Sequence, residues 1–194
     1  MIVYSDPDKG IESIALDSAH WQDFTELFGE RGACGGCWCM SWRLKKADFE
    51  ANKGTQNKEA IRQLVDHGEP VGVLLYIDGE PVGWCAAAPR VKFIRLNQSR
   101  VLKQIDSLPV WSITCLFVAK KHRRQGVSFA LIKSAIAWCR LNGAMVIEAY
   151  PSDPYKLNDP DAFLWTGIPS VFEKAGFRNE PTPSKRKRYM RYFI

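Results

Sequence analysis

The sequence predicts a single mixed α/β domain, residues 1–194, whose sheet combines antiparallel hairpins with one parallel crossover. Three observations predict it. The apolar runs VGVLLYI (71–77) and PVGWCAAA (81–88) are joined by Asp78-Gly79-Glu80, and Asp-Gly readily takes the left-handed conformations of tight hairpin turns. VWSITCLFV (110–118) is apolar almost throughout, as a strand buried on both faces is. A helical pattern over 125–141 and the run AMVIEAY (144–150) follow it. Strand, helix and strand in that order imply a right-handed crossover between parallel neighbours.

The elements read in order as follows. IESIAL (11–16) alternates as a short strand. SAHWQDFTELF (18–28) puts Trp21, Phe24, Leu27 and Phe28 on one helical face, with Asp17 or Ser18 as its cap. GERGACGGCWCMSWR (29–43) holds too many glycines for a continuous helix. NKEAIRQLVDH (57–67) reads as a helix, and 91–107 admits a short one. Within 125–141, Val127, Leu131, Ala135 and Trp138 share a face, with Ile132, Ile136 and Cys139 beside them. So wide a stripe suits a helix laid on a sheet, and Asn142-Gly143 stops it. A further helix falls within 161–176, ended by Gly176, and KRYMRYFI (187–194) alternates as a last antiparallel strand.

Composition bounds the function. An apolar fraction of 46% in 194 residues supports one real core. No apolar run reaches the ~18 residues of a membrane helix. The N-terminal MIVYSDPDKG lacks a signal-peptide layout, so the expected location is cytoplasmic. In that compartment the six cysteines are expected as free thiols or ligands rather than disulfides. The net charge of +6 is concentrated at 120–124 and 185–191.

The first of these clusters poses the central question. In AKKHRRQGVSFALI (119–132) a strand runs through Lys120, Lys121, His122, Arg123 and Arg124 straight into a helix. A helix start carries unpaired N–H groups and a positive dipole end, which favour acids in the first turn. This one has none. The arrangement suits a bound phosphate: Gly126 allows close approach of the backbone, and Arg123 and Arg124 offer bidentate donors. Neither GxxxxGK[ST] nor a strand-following GxGxxG is present, so the turn is not that of a nucleoside triphosphatase or a dinucleotide-binding enzyme.

CLFVAKKHRRQGVSFALI (115–132) resembles motif A of the GNAT superfamily of N-acetyltransferases: a strand ending in Val, a basic turn, then [RQ]xxGx[GA] opening a helix. Ser128 departs from the Gly or Ala of the last place. VFEKAGF (171–177) is similar to the family's FYEKxGF stretch, and the hairpin and the 144–150 strand fall in the family's order, so the resemblance covers residues 70–194. It implies a largely antiparallel central sheet with a V-shaped splay between 110–118 and 144–150, helices on both faces, and acetyl-CoA as co-substrate. The pyrophosphate would lie on Arg123, Arg124, Gln125, Gly126, Val127 and Ser128. The pantetheine arm would pair with the backbone of Phe117 and Val118, and the thioester would lie in the splay.

The implied reaction is direct transfer of the acetyl group to a primary amine in a ternary complex. The amine must first lose a proton, and the tetrahedral oxyanion needs a donor, for which a backbone N–H near Val118 is the family-like choice. The leaving thiolate gains from an acid, but Phe172 stands where the family often has Tyr. Glu148 is the expected base. Tyr150, Tyr155, Cys115 and Ser112 are the other groups near the expected splay, with Tyr150 and Cys115 assigned to catalysis beside Glu148.

Cys34, Cys37 and Cys39 give a C-x-x-C pair without the second pair of a zinc site, so no metal is expected. The resemblance implies that Trp38, Met40 and Trp42 wall the acceptor pocket; the other reading of this stretch is a satellite core with small buried cysteines. The tail SKRKRYMRYFI reads as a solvated strand entry, not a nucleic-acid surface. The expected partner is a small-molecule or peptide amine, with no nucleic acid or membrane, in a monomer or homodimer. Two alternatives stand beside this reading: a coenzyme-A-binding module without turnover, kept open by Phe172, and a basic nucleic-acid-binding protein.

Overall fold

The computed structural model describes residues 1–153, 164–184 and 186–194. Tyr155, Lys185 and the start of the helix expected within 161–176 lie outside the described residues. The sheet has eight strands in the order β1-β2-β3-β4-β5-β6-β8-β7: β1 Ile2–Asp6, β2 Ile11–Ala15, β3 Gly72–Ile77, β4 Glu80–Pro89, β5 Val110–Val118, β6 Val146–Ala149, β7 Arg178–Glu180 and β8 Tyr189–Phe193. Among the described strands only β5 and β6 pair in parallel. In the β3–β4 hairpin, Asp78 (φ 49°) and Gly79 (φ 80°) both take positive φ, as a two-residue type I′ turn requires.

The helices are α1 Trp21–Phe28, α2 Lys46–Ala51, α3 Thr55–Asp66, α4 Ile94–Asn97, α5 Val127–Leu141 and α6 Pro169–Lys174. Asp17 caps the 3-10 turn that leads into α1, its carboxylate accepting the His20 N–H at 3.1 Å. Strand alternation explains why helices cover both faces. Val73 and Leu75 pack with Leu131, Ala135 and Ile132 of α5 on one side. Leu74, Tyr76, Trp84 and Ala86 pack with Phe24 and Phe28 of α1 and Ile61 and Val65 of α3 on the other. A smaller third cluster joins Ala88, Phe93, Leu96, Leu102, Tyr150 and Tyr189 on that second face.

The site comes from two irregularities. Between Ala86 and Ala87 the β4–β5 register shifts, leaving Thr114 of β5 without a partner. Beyond that point β5 leaves β6: the parallel pairing spans only Val110–Ile113 against Val146–Ala149. The chain after β6 stays with the tail instead, through Arg188 N–H to Pro151 O (2.9 Å) and Asp153 N–H to Arg186 O (2.9 Å). The sheet therefore opens as a V whose apex lies near Ile113 and Ala149.

Candidate functional site

Where the V widens, a cavity of about 500 Å³ opens between the end of β5, the first turn of α5 and the segment holding Leu164, Trp165 and Gly167. That is ample for a small-molecule site. Cys34 reaches it from the Gly-rich loop, and no carboxylate is among its described lining residues.

The corner between β5 and α5 is shaped by backbone conformation. After a 3-10 turn at Lys120–His122, Arg124 (φ 61°) and Gly126 (φ 83°) both take left-handed conformations. Such breaks aim successive N–H groups to one side. α5 then starts with no side-chain cap and no acid in its first turn. The Phe129 and Ala130 N–H groups return to Gly126 O at 3.0 and 3.3 Å. Those of Arg124, Gln125, Gly126, Val127 and Ser128 find no acceptor among the described residues. The Arg124 and Lys174 side chains and His122 add donors around them. Gln125 turns away, its amide donating to Lys121 O (2.9 Å).

The splay-facing backbone groups follow from strand alternation. Ala119 N–H donates to Val82 O on the β4 side (2.9 Å), so Phe117, two residues earlier, also faces β4. Leu116 and Val118 face the V. Leu116 N–H donates to Trp165 O (2.7 Å), and Val118 O accepts from Arg123 Nε (3.1 Å). On the opposite wall Ser152 N–H donates to Gly167 O (3.1 Å). Residues 165–167 thus bridge the two walls. The strand-like pairing expected of Phe117 and Val118 falls, in this geometry, to Leu116 and Val118.

A sequence model of the acetyltransferase (GNAT) family matches residues 38–156, more than half of the chain. The chain belongs to this family. Solved structures agree on the fold. The ribosomal-protein-S5-alanine acetyltransferase of Vibrio fischeri is 11% identical, covers 100% of this chain and 96% of its own, and gives a TM-score of 0.55. The PaiA N-acetyltransferase of Thermoplasma acidophilum, solved with coenzyme A, is 14% identical over 95% and 99% with a TM-score of 0.53. The GNAT domain of S. lividans PAT is 13% identical over 95% and 90% with a TM-score of 0.51. At such identities the likeness concerns the fold alone. No curated protein matches the sequence significantly.

In this GNAT chain the expected catalytic side chains are otherwise engaged. Glu148 is fully buried and holds four donors: Arg90 Nη1 (2.8 Å) and the Tyr150 phenol (2.6 Å) on Oε2, Arg191 Nε (3.1 Å) and Nη2 (2.7 Å) on Oε1. A carboxylate has about four such positions, so none remains for an amine proton. Tyr150 commits its one proton to Glu148, so Ser112 Oγ, 3.1 Å away, is the donor in their contact. Burial, then the Glu148 charge, pushes the Tyr150 phenol well above its ordinary pKa. Cys115 packs against the second-face cluster, and its thiol is pushed well up by its hydrogen bond with Cys39 and by burial. It stays protonated near neutrality, and as a candidate acid its proton is committed to Cys39 within that cluster. Arg191 also pairs with Asp106.

The acceptor wall is corrected in two of its three places. Trp38 stacks on Phe28 (5.7 Å between rings) and Met40 is 3% exposed, so both are core. Trp42 does reach the splay: its ring lies 6.1 Å from Trp165, and its buried indole N–H has no acceptor among the described residues.

The cysteine loop is a packing unit. Cys39 Sγ accepts from Trp84 Nε1 (3.1 Å), and its hydrogen bond with Cys115, with Trp84 and Arg43 nearby, holds its thiol below the ordinary pKa. Burial pushes Cys37 up to about 11. Among the described residues no three His, Cys, Asp or Glu side chains are grouped to hold a metal ion. The loop docks through Gly36, whose carbonyl accepts Gly54 N–H (3.0 Å) and Asn57 Nδ2 (3.2 Å). A Cβ on Gly36 would meet Gly54 N at 2.4 Å, and φ is +72°. Gly36→Ala is therefore expected to lower unfolding stability by about 3 kcal/mol, read from the urea midpoint.

The tail is less solvated than its composition predicts. Arg191 turns inward to Glu148, and Lys187, two positions before Tyr189 on the same face, turns inward as well. Neither this inward turn of Lys187 nor the splay-facing role of Leu116 follows from the sequence reading. The period-2 spacing of Lys187, Tyr189 and Arg191 would have placed Lys187 on the same face as the other two. No helix among the described residues is long and apolar enough to cross a membrane.

Proposed function

We propose that the chain transfers the acetyl group of acetyl-CoA directly to a primary amine within a ternary complex. The supporting observation is the uncapped, acid-free start of α5, whose first turn lines a cavity that also takes in Leu116, Phe117 and Val118 at the end of β5, beyond the point where its pairing with β6 stops. On this reading the pyrophosphate takes the N–H groups of Arg124 to Ser128, where amides, dipole and cations act together. The pantetheine arm runs along Leu116 and Val118 like an added strand, taking over the bonds now made by Trp165 O and Arg123 Nε. The thioester then reaches the apex, with splay-facing amides of β5 as oxyanion donors. The amine reaches it from the second face, beside Trp42. With Glu148 engaged, its proton leaves through water.

The test is acetyl-CoA binding by calorimetry, with thiol release measured over amines, polyamines, aminoglycosides and peptide N-termini. Direct transfer gives intersecting initial-rate patterns and one thiol per acetylated amine. Parallel patterns, the sign of a covalent acetyl-enzyme, would overturn it. Tight binding without turnover on any amine favours the non-catalytic reading that Phe172, buried against Phe177 (5.1 Å), keeps open.

A further inference from the structure

We propose that the Lys187 ammonium is the proton donor to the departing coenzyme A sulfur. The inference rests on the acetyl-transfer reading and supplies the acid that Phe172 lacks. Lys187 lies opposite Ser152 across the strand pairing that continues beyond β6. Pro151 O and Asp153 N–H face the tail, so Tyr150 O and Ser152 N–H face the V. Lys187 Nζ crosses to that inner side: it donates to Tyr150 O (3.3 Å) and to Thr166 Oγ1 (2.8 Å), in the segment that bridges the walls. Tyr150 O is one residue past Ala149, the last residue paired with β5, so Nζ is held beside the apex, outside the described cavity lining and behind the Trp165–Gly167 segment that the pantetheine arm would displace from β5.

The surroundings of this amine suit proton donation. An ammonium has three donor hydrogens, and two are accounted for. No carboxylate pairs with it among the described residues, whereas burying a cation usually demands a counter-charge. Among the described residues the groups facing it are the Tyr150 carbonyl, the Thr166 hydroxyl, the Ser152 hydroxyl bonded to Thr166 (3.2 Å) and the Trp165 ring (5.6 Å), all uncharged. The charged neighbour among the described residues is Arg186, a cation. Burial, then Arg186, pulls the Lys187 pKa down to about 8. That lies close to the ordinary thiol value of ~8.5, so proton transfer to the sulfur is nearly balanced.

In the step, the neutral acceptor amine attacks the acetyl carbon and the N–C bond forms. The C–S bond breaks, and its electron pair stays on sulfur. Lys187 Nζ gives sulfur its proton, and the proton shed by the amine returns to Lys187 through solvent. The competing candidates are committed elsewhere: the Tyr150 proton to Glu148, and the Ser112 proton to Tyr150.

The experiment needs no acceptor. Coenzyme A is bound to the full chain, and its thiolate absorbance in the ultraviolet is followed against pH. In the wild type a neighbouring ammonium lowers the bound thiol pKa by about one unit or more below ~8.5. Lys187→Met returns it to the free value with coenzyme A affinity within about threefold, and Lys187→Arg keeps it low. An unchanged thiol pKa in Lys187→Met, with coenzyme A bound, overturns the assignment. So does acetylated Lys187 found by mass spectrometry after incubation with acetyl-CoA, which would make the amine a nucleophile. Failure of the wild type to bind coenzyme A would instead refute the cavity reading on which the proposal stands.

Discussion

Gly126→Leu is expected to weaken acetyl-CoA binding about 100-fold or more while the chain still folds. Gly126 lies at the start of α5 with φ of +83°, and a Cβ built there meets nothing within 4 Å. The fold therefore bears only the left-handed cost of an L residue, about 1–2 kcal/mol. That corresponds to a melting temperature lower by about 3–6 °C. The open space is where the proposed pyrophosphate site lies, so a leucine side chain would shield amides that the pyrophosphate would use. Losing two hydrogen bonds to a charged group, at about 1.5 kcal/mol each, gives roughly the 100-fold loss. Gly126→Asn separates the two effects, because Asn tolerates the left-handed region and still puts a side chain over the amides. Calorimetry on both folded variants decides. Wild-type affinity in either would remove the corner from the cofactor site.

What the sequence made legible was local. The β3–β4 hairpin carried its turn chemistry in two residues, and α5 carried both a wide apolar stripe and the stop at Asn142-Gly143. The uncapped, acid-free corner between β5 and α5 was legible for the same reason: sterics, dipole and charge all lie within residues 120–128. β1 was missed because IVYSD is half-exposed at a sheet edge and has neither a clean alternation nor an apolar run. β7 is three polar residues, strand only because β8 pairs with it. The catalytic side chains failed for a different reason. Glu148 meets Arg90 and Arg191, 58 and 43 residues away in sequence, and no window holds that information. Trp38 has the composition of a binding wall. Its place against Phe24 and Phe28 depends on where the glycine loop turns, with Trp38 and Cys39 themselves at positive φ. The splay is visible only when register is known, because it begins where the β5–β6 pairing stops.

Glu148→Ala should lower unfolding stability by about 3–5 kcal/mol, the largest loss expected of any single substitution at the site. The carboxylate is fully buried between guanidinium groups whose side chains are 4% and 3% exposed. Removing it leaves two buried cations. Arg191 keeps Asp106, and Arg90 keeps the Tyr150 phenol and the Leu96 and Leu102 carbonyls (3.4 and 2.5 Å). These partners satisfy hydrogens, yet only the exposed Asp106 carries opposing charge, and solvent screens it. Glu148→Gln preserves shape and one acceptor, so it should fall between Ala and wild type. The pair of variants also distinguishes structure from chemistry. If Glu148 anchors the closed end of the V, stability falls in both variants, and folded Glu148→Gln binds coenzyme A with affinity close to wild type, since Glu148 does not line the cavity. If it were the amine's base, Glu148→Gln would keep full stability and lose turnover alone. Denaturant titration of the three proteins separates these outcomes. A Glu148→Ala chain as stable as wild type would mean that the ion cluster contributes nothing to holding β6 against β8.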